Sequence, residues 1–444
     1  MFRESRVKTK DSYKIQRLLK ILLFLYVFFP FRVKILAGVQ AYMLYGIELV
    51  LLGLFLSELY YNKLQRKVLY PLLFFIVTFL FLMALSLFLP LIRGTGDLTY
   101  FTRYFTTLKK IIVSFGIVYL CEDLRDFLKL FLAGTTIYVL CTVIMLIPAI
   151  HAIYADIVVI QDTSVLDYQY LHTARFYTRI GLQGFSGFGW SFRCTFSVAV
   201  CCCEYIMKKF GFSKWEMMFY GIINLLGTVF YGRTGTIIAI ACIILTACYQ
   251  LCIQGKGHLI LSLGGAALIV ILVFLYNIEH IQKSASLGWM FEGFINMAQS
   301  GKFSTNSSTY IMDRMFVKVP LETFLFGDAR YTAANGSYYM GTDLGIMRPL
   351  LFWGIGVQIV YYMMPLMLLI PIKRHLHDKH SIFFFGMMMI IMAGFELKGE
   401  IVFEFCTVLL GMYLALIRGS YSKRLRIKIR KNYKFGYDQK QSFM

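Results

Sequence analysis

The sequence predicts an all-α, polytopic integral membrane protein with about twelve transmembrane helices. Three observations carry this. Of 444 residues, 58% are hydrophobic and only 16% charged, and the mean hydropathy is +0.66. A soluble fold needs far more charge to cover its surface, and disorder needs far less apolar content. The apolar residues also fall in runs of roughly 20, the length that crosses a bilayer core of about 30 Å. Finally, Lys and Arg alternate in abundance from one inter-run segment to the next, as the positive-inside rule requires.

The chain opens on a basic stretch, 1–16, followed by a first run at 17–31 that contains Pro30. No small-residue cleavage site follows, so this is read as an uncleaved span rather than a signal peptide. Further spans are predicted at 35–57, 68–92, 107–121, 127–148, 182–206, 215–231, 235–253, 259–278, 345–371, 381–396 and 401–418, with a basic tail at 419–444. With all twelve counted, about 28 of the 45 cations lie on the side of the N-terminal stretch and the tail. Both termini are therefore expected in the cytoplasm. A net charge of +21 would ordinarily suggest nucleic acid as a partner. Here it reports topology: about 28 cations face 8 acids on the cytoplasmic side, which leaves about 17 against 16 elsewhere, so no nucleic acid is expected.

The opposite side is expected to carry a moderate loop at 93–106 and two long ones at 149–181 and 279–344. Loops of that size inside a compact domain are usually functional. Within the second, Ser286–Gln299 has the pattern of a helix lying in the interface. Thr309–Phe324 places Met312, Met315, Phe316 and Val319 on one helical face and Arg314 and Lys318 on the other. The chain reads as one membrane domain without internal repeats.

The ten cysteines lie mostly within apolar runs and are read as small hydrophobes. No metal-ligating motif, Walker sequence or Asp-x-Asp pair occurs, so neither a cofactor nor a metal is expected, and an ATP-driven pump is excluded. The cytoplasmic loops are too short for a nucleotide-binding domain.

Charges within or beside a membrane are costly and so mark function. On the expected outer half these are Arg175, Arg179, Arg193, Arg233, Arg314, Arg330 and Arg348. Guanidinium forks meet phosphate oxygens bidentately, so such a cluster suits a lipid-linked diphosphate and could stabilise it as a leaving group without a metal. A base for an acceptor hydroxyl would come from Asp328, Asp343, Glu396, Glu400 or Glu404. The last three, four apart, would share one face of a helix. Glu396 and Glu400 could equally be structural partners of Lys398 or nearby arginines. His280 is the one histidine of the second long loop.

Several passages, in order, resemble the O-antigen polymerase (Wzy) family within the O-antigen ligase and polymerase superfamily. They are Arg179-Ile180-Gly181 followed by Gly184; Gly232-Arg233-Thr234-Gly235; Thr309 through Arg314 to Pro320 with Phe326-Gly327-Asp328; and Asn335-Gly336-Ser337-Tyr338-Tyr339 with Thr342-Asp343-Leu344-Gly345 and Gly354. The resemblance implies a GT-C-like, membrane-embedded glycosyltransferase of the bacterial cytoplasmic membrane. It would join undecaprenyl-diphosphate-linked oligosaccharides into O-antigen, capsule or exopolysaccharide on the outer face. It implies diphosphate binding by Arg179, Arg193, Arg233 and Arg314. The catalytic candidates are Arg314, Asp343 and Glu400, and the expected partners are membrane lipid, a flippase and a chain-length regulator. A ligase would carry a histidine where this chain has Asn335-Gly336-Ser337. A flippase would show midplane charges and repeat symmetry. Both are weaker alternatives.

Overall fold

The computed structural model describes residues 10–29, 33–61, 66–157, 179–182, 184–185, 187–255, 264–265, 272–284, 287–288, 291–302, 304–305, 309 and 315–419. Helix α1 is Lys10–Phe28, α2 Ala37–Tyr61, α3 Arg66–Ile92, α4 Thr99–Val118, α5 Leu124–Met145 and α6 Pro148–Ile157. After a two-residue antiparallel ladder, Ile180–Gly181 with Gly184–Phe185, come α7 Phe188–Met207, α8 Lys214–Tyr231 and α9 Arg233–Gln254. The short helices α10 Ile278–Lys283, α11 Glu292–Ser300 and α12 Leu321–Phe326 precede α13 Met347–Leu376 and α14 Ser381–Glu396. The last helix, α15, is Val402–Gly419.

Among the described residues six helices, α2, α3, α5, α9, α13 and α15, are long and apolar enough to cross a membrane. This is a helical membrane protein. Expected spans at 17–31, 107–121, 182–206 and 215–231 also fall on helices, α1, α4, α7 and α8, while α14 is apolar but shorter. Most of the span at 259–278 lies outside the described residues.

Burial sorts the bundle into a centre and a rim. Helix α15 is enclosed, with Leu409, Leu410, Met412 and Tyr413 fully buried. Helices α2 and α3 turn Leu49, Val50, Leu73, Phe74 and Val77 outward, the surface an apolar helix offers to lipid tails rather than to water. Because lipid is as apolar as leucine, packing between such helices relies on close fit. Tyr138 stacks on Trp190 at 3.3 Å between α5 and α7, and a Cβ on Gly235 would collide with the Ser191 hydroxyl. All ten cysteines are free thiols.

Three expectations are corrected. The loop at 93–106 is shorter, because α4 begins at Thr99, whose amide donates to Asp97 Oδ1 at 3.0 Å. That puts Arg103 on a helix. Thr309–Phe324 is not one helix: 317–320 is irregular, and α12 starts only after Pro320, which has no N–H to donate and pushes Val319 toward extended backbone. Glu396, Glu400 and Glu404 do not share a helix face, since α14 ends at Glu396 and α15 begins at Val402. Glu396 instead closes that gap, accepting from the amides of Ile401 (2.6 Å) and Val402 (3.0 Å).

One further break positions the site. Gly354 interrupts α13 with φ +77°, and its Cα lies against α12, where a Cβ would collide with the Leu325 carbonyl oxygen. The break exposes carbonyls that a continuous helix would use itself. Asp328 N donates to Leu351 O at 2.7 Å and Ala329 N to Phe352 O at 3.1 Å, which fastens the 327–346 segment to α13.

Candidate anion-binding site

The site is assembled where the start of α4, the start of α13, the 397–401 link and the 327–346 segment meet. Asp97 ties two of these together. Its Oδ2 accepts from Tyr331 N at 2.8 Å and Thr332 N at 2.7 Å, while Thr95 Oγ1 donates to Ala329 O at 2.8 Å. Residues 331–339 form a tight hairpin, closed by Ala333 N to Ser337 O at 2.8 Å and Tyr339 N to Tyr331 O at 3.0 Å. Asn335 Oδ1 supports its turn by accepting from Ser337 N at 3.0 Å, and Tyr339 Oη donates to Asp328 Oδ2 at 3.0 Å.

Burial by itself would raise the Asp97 pKa, but hydrogen bonds from the Thr99 side chain and the Thr332, Thr99 and Tyr331 amides outweigh it and hold the carboxyl below its usual range. A depressed folded-state pKa stabilises the fold above the unfolded value, near 3.9, and that stability is lost as pH falls through the folded value. Asp97→Asn should therefore cost about 1–3 kcal/mol at neutral pH and flatten the acid limb of thermal stability in detergent. Identical acid limbs in the two proteins would refute this account.

At the centre stands Glu400, its side chain 0% exposed. Tyr100 Oη donates to Oε1, Arg103 Nη1 to Oε2, and Tyr331 Oη to Oε2 at 3.1 Å. Arg348 Nη1 lies 3.6 Å from the same oxygen. Both guanidiniums also donate to the Tyr331 phenol oxygen. The carboxylate is enclosed by its partners, whereas Arg103 keeps 31% of its side chain exposed.

A second group follows along α4. Lys110, two turns beyond Arg103, and Arg193 Nη2, at 3.3 Å, both engage Glu404. Arg193 also lies over Trp190 at 4.8 Å and Phe29 at 5.7 Å, and its buried Nη1 has no hydrogen-bond partner among the described residues. Together Arg103, Lys110, Arg193 and Arg348 face two carboxylates, Glu400 and Glu404. Within these two groups cations exceed carboxylates by two.

The expected site residues separate into several places. Arg193 and Glu400 belong to these two groups. Arg233, at the start of α9, is ion-paired with Glu292 of α11, so its charge is balanced within the chain. Asp343 sits 3.8 Å from Lys398 Nζ, and its buried Oδ1 has no hydrogen-bond partner among the described residues. Arg179 directly precedes the short ladder, whose Gly181 abuts the Tyr138 ring. Arg175 and Arg314 lie outside the described residues. His280 is exposed on α10.

Sequence reasoning missed Arg103, Lys110 and Tyr331. The signal for Lys110 was present, since a cation inside the predicted span 107–121 is expensive in a membrane, whereas Arg103 fell in the predicted loop 93–106. Tyr331 carries no such signal. No family model, no curated protein and no solved structure matches the chain.

Proposed function

We propose that this chain is an oligosaccharide repeat-unit polymerase of the O-antigen polymerase type, a GT-C-like glycosyltransferase of about twelve spans in the bacterial cytoplasmic membrane. Both termini would be cytoplasmic, and the site would open on the outer face between the long loops. The observation that carries the proposal is the excess of cations over carboxylates around Glu400 and Glu404. Such a surplus at one end of a membrane bundle suits a lipid-linked diphosphate. As the anomeric C–O bond breaks, negative charge grows on the leaving diphosphate, and preorganised guanidinium donors stabilise it most at that moment.

Arg103, with its exposed edge, takes the role of diphosphate contact, joined by Arg193 and, as the family resemblance implies, Arg314 and Arg179. Glu400 positions Arg103 and Arg348 rather than touching the sugar. Asp343, beside Lys398, is the candidate to accept the proton of the acceptor hydroxyl. Undecaprenyl-diphosphate-linked oligosaccharides are the substrates, with a flippase and a chain-length regulator as partners.

Deleting the gene tests this. Single lipid-linked repeat units should accumulate on the outer face and long chains should vanish. Long lipid-linked chains that fail to reach their final acceptor would indicate a ligase, and repeat units confined to the cytoplasmic side would indicate a flippase. Either result overturns the proposal.

A further inference from the structure

Beyond the charges, the site has an aromatic edge. The Arg103 guanidinium lies 5.3 Å from the Tyr331 ring centroid. Arg348 lies 4.7 Å from Tyr331 and 3.7 Å from Tyr338. Cation and ring thus alternate outward from Glu400, and the series ends at Tyr338, which is 49% exposed.

An exposed tyrosine on a loop is ordinarily free to turn, and fixing it on a ligand costs conformational entropy. Tyr338 is already fixed. Its backbone bridges to Thr332, the hairpin around it is anchored by Asp97 through the Tyr331 and Thr332 amides, and Arg348 lies against its ring. The same guanidinium belongs to the Glu400 group, so the ring stands one residue away from the cations that would meet a diphosphate. A rigid aromatic surface of this kind is preorganised for binding.

We propose that Tyr338 is the platform on which the sugar next to the diphosphate packs, an assignment that rests on the polymerase reading above. A pyranose has a face of C–H groups that packs against an aromatic ring, while its hydroxyls stay at the rim in contact with polar neighbours. Tyrosine suits this doubly, with an apolar face and a polar tip. The carrier's isoprenoid chain has no comparable reason to choose this spot, since the groups against the Tyr338 ring are the Arg348 guanidinium and the Tyr331 phenol. The platform would let the site distinguish a sugar-bearing carrier from the bare diphosphate carrier that remains after transfer, and so favour release of the spent carrier.

The test uses the full-length protein in lipid nanodiscs and two probes: undecaprenyl diphosphate, and undecaprenyl diphosphate carrying one N-acetylhexosamine. Wild type should bind the sugar-bearing probe about tenfold more tightly, which corresponds to about 1.4 kcal/mol. Tyr338→Ala should abolish that preference while still binding the bare probe, which also shows that the variant is folded. Tyr338→Trp should keep the preference. A wild type without preference, or a preference that persists in Tyr338→Ala, overturns the platform while leaving the diphosphate site standing. A wild type that binds neither probe overturns the polymerase reading itself.

Discussion

Cells carrying Arg103→Ala should accumulate single lipid-linked repeat units while the protein remains in the membrane at its normal level. Arg103 is the most exposed of the guanidiniums facing Glu400 and Glu404, so in the proposed site it meets the leaving diphosphate. Removing one preorganised donor of developing charge typically costs a factor of about 10²–10³ in rate. The fold should suffer less, because Glu400 keeps Tyr100, Tyr331 and Arg348 as partners. Arg103→Lys should restore little, since an ammonium cannot bridge Tyr331 and a phosphate as a planar fork does. The measurement is the length distribution of the surface polysaccharide beside membrane abundance, and a wild-type ladder from Arg103→Ala would remove this residue from the site.

Glu400→Ala should have the larger effect on the fold. It leaves Arg103 and Arg348, both bonded to Tyr331, facing each other without the buried carboxylate between them. Breaking a buried ion pair from one side commonly costs 3–5 kcal/mol; partial exposure of Arg103 places the expected loss near the lower end, about 3 kcal/mol. Glu400→Gln, which keeps the shape and an acceptor for Tyr100, should lose less. The double variant Glu400→Ala with Arg103→Ala should be destabilised by less than the sum of the singles, because the uncompensated charge is removed with its partner. Thermal unfolding in detergent reads all four proteins, and an unchanged midpoint in Glu400→Ala would show that the carboxylate does not hold this cluster together.

The helices were largely legible from the sequence and the charge contacts were not. Predicted spans such as 215–231 and 381–396 land on α8 and α14 almost residue for residue, because transfer into lipid is a local property of each run. Arg103 escaped for a local reason too: with α4 started at 107 it lay in a loop, where a charge needs no explanation. Arg193 and Arg233 were legible as costly cations, but their partners Glu404 and Glu292 were not, being 211 and 59 residues away. The four-residue spacing of Glu396, Glu400 and Glu404 suggested a shared face that the break at 397–401 removes.

What the sequence determined by itself is that this chain lives in a membrane as a bundle of apolar helices, since hydropathy and charge are summed along the chain and need no knowledge of packing. Only the tertiary structure decided which charges meet. Tyr100 and Glu400 are 300 residues apart, and their contact exists because α15 is buried at the centre of the bundle with α4 against it. A buried carboxylate must find donors or pay its full desolvation cost, and which donors it finds is settled by how the helices pack.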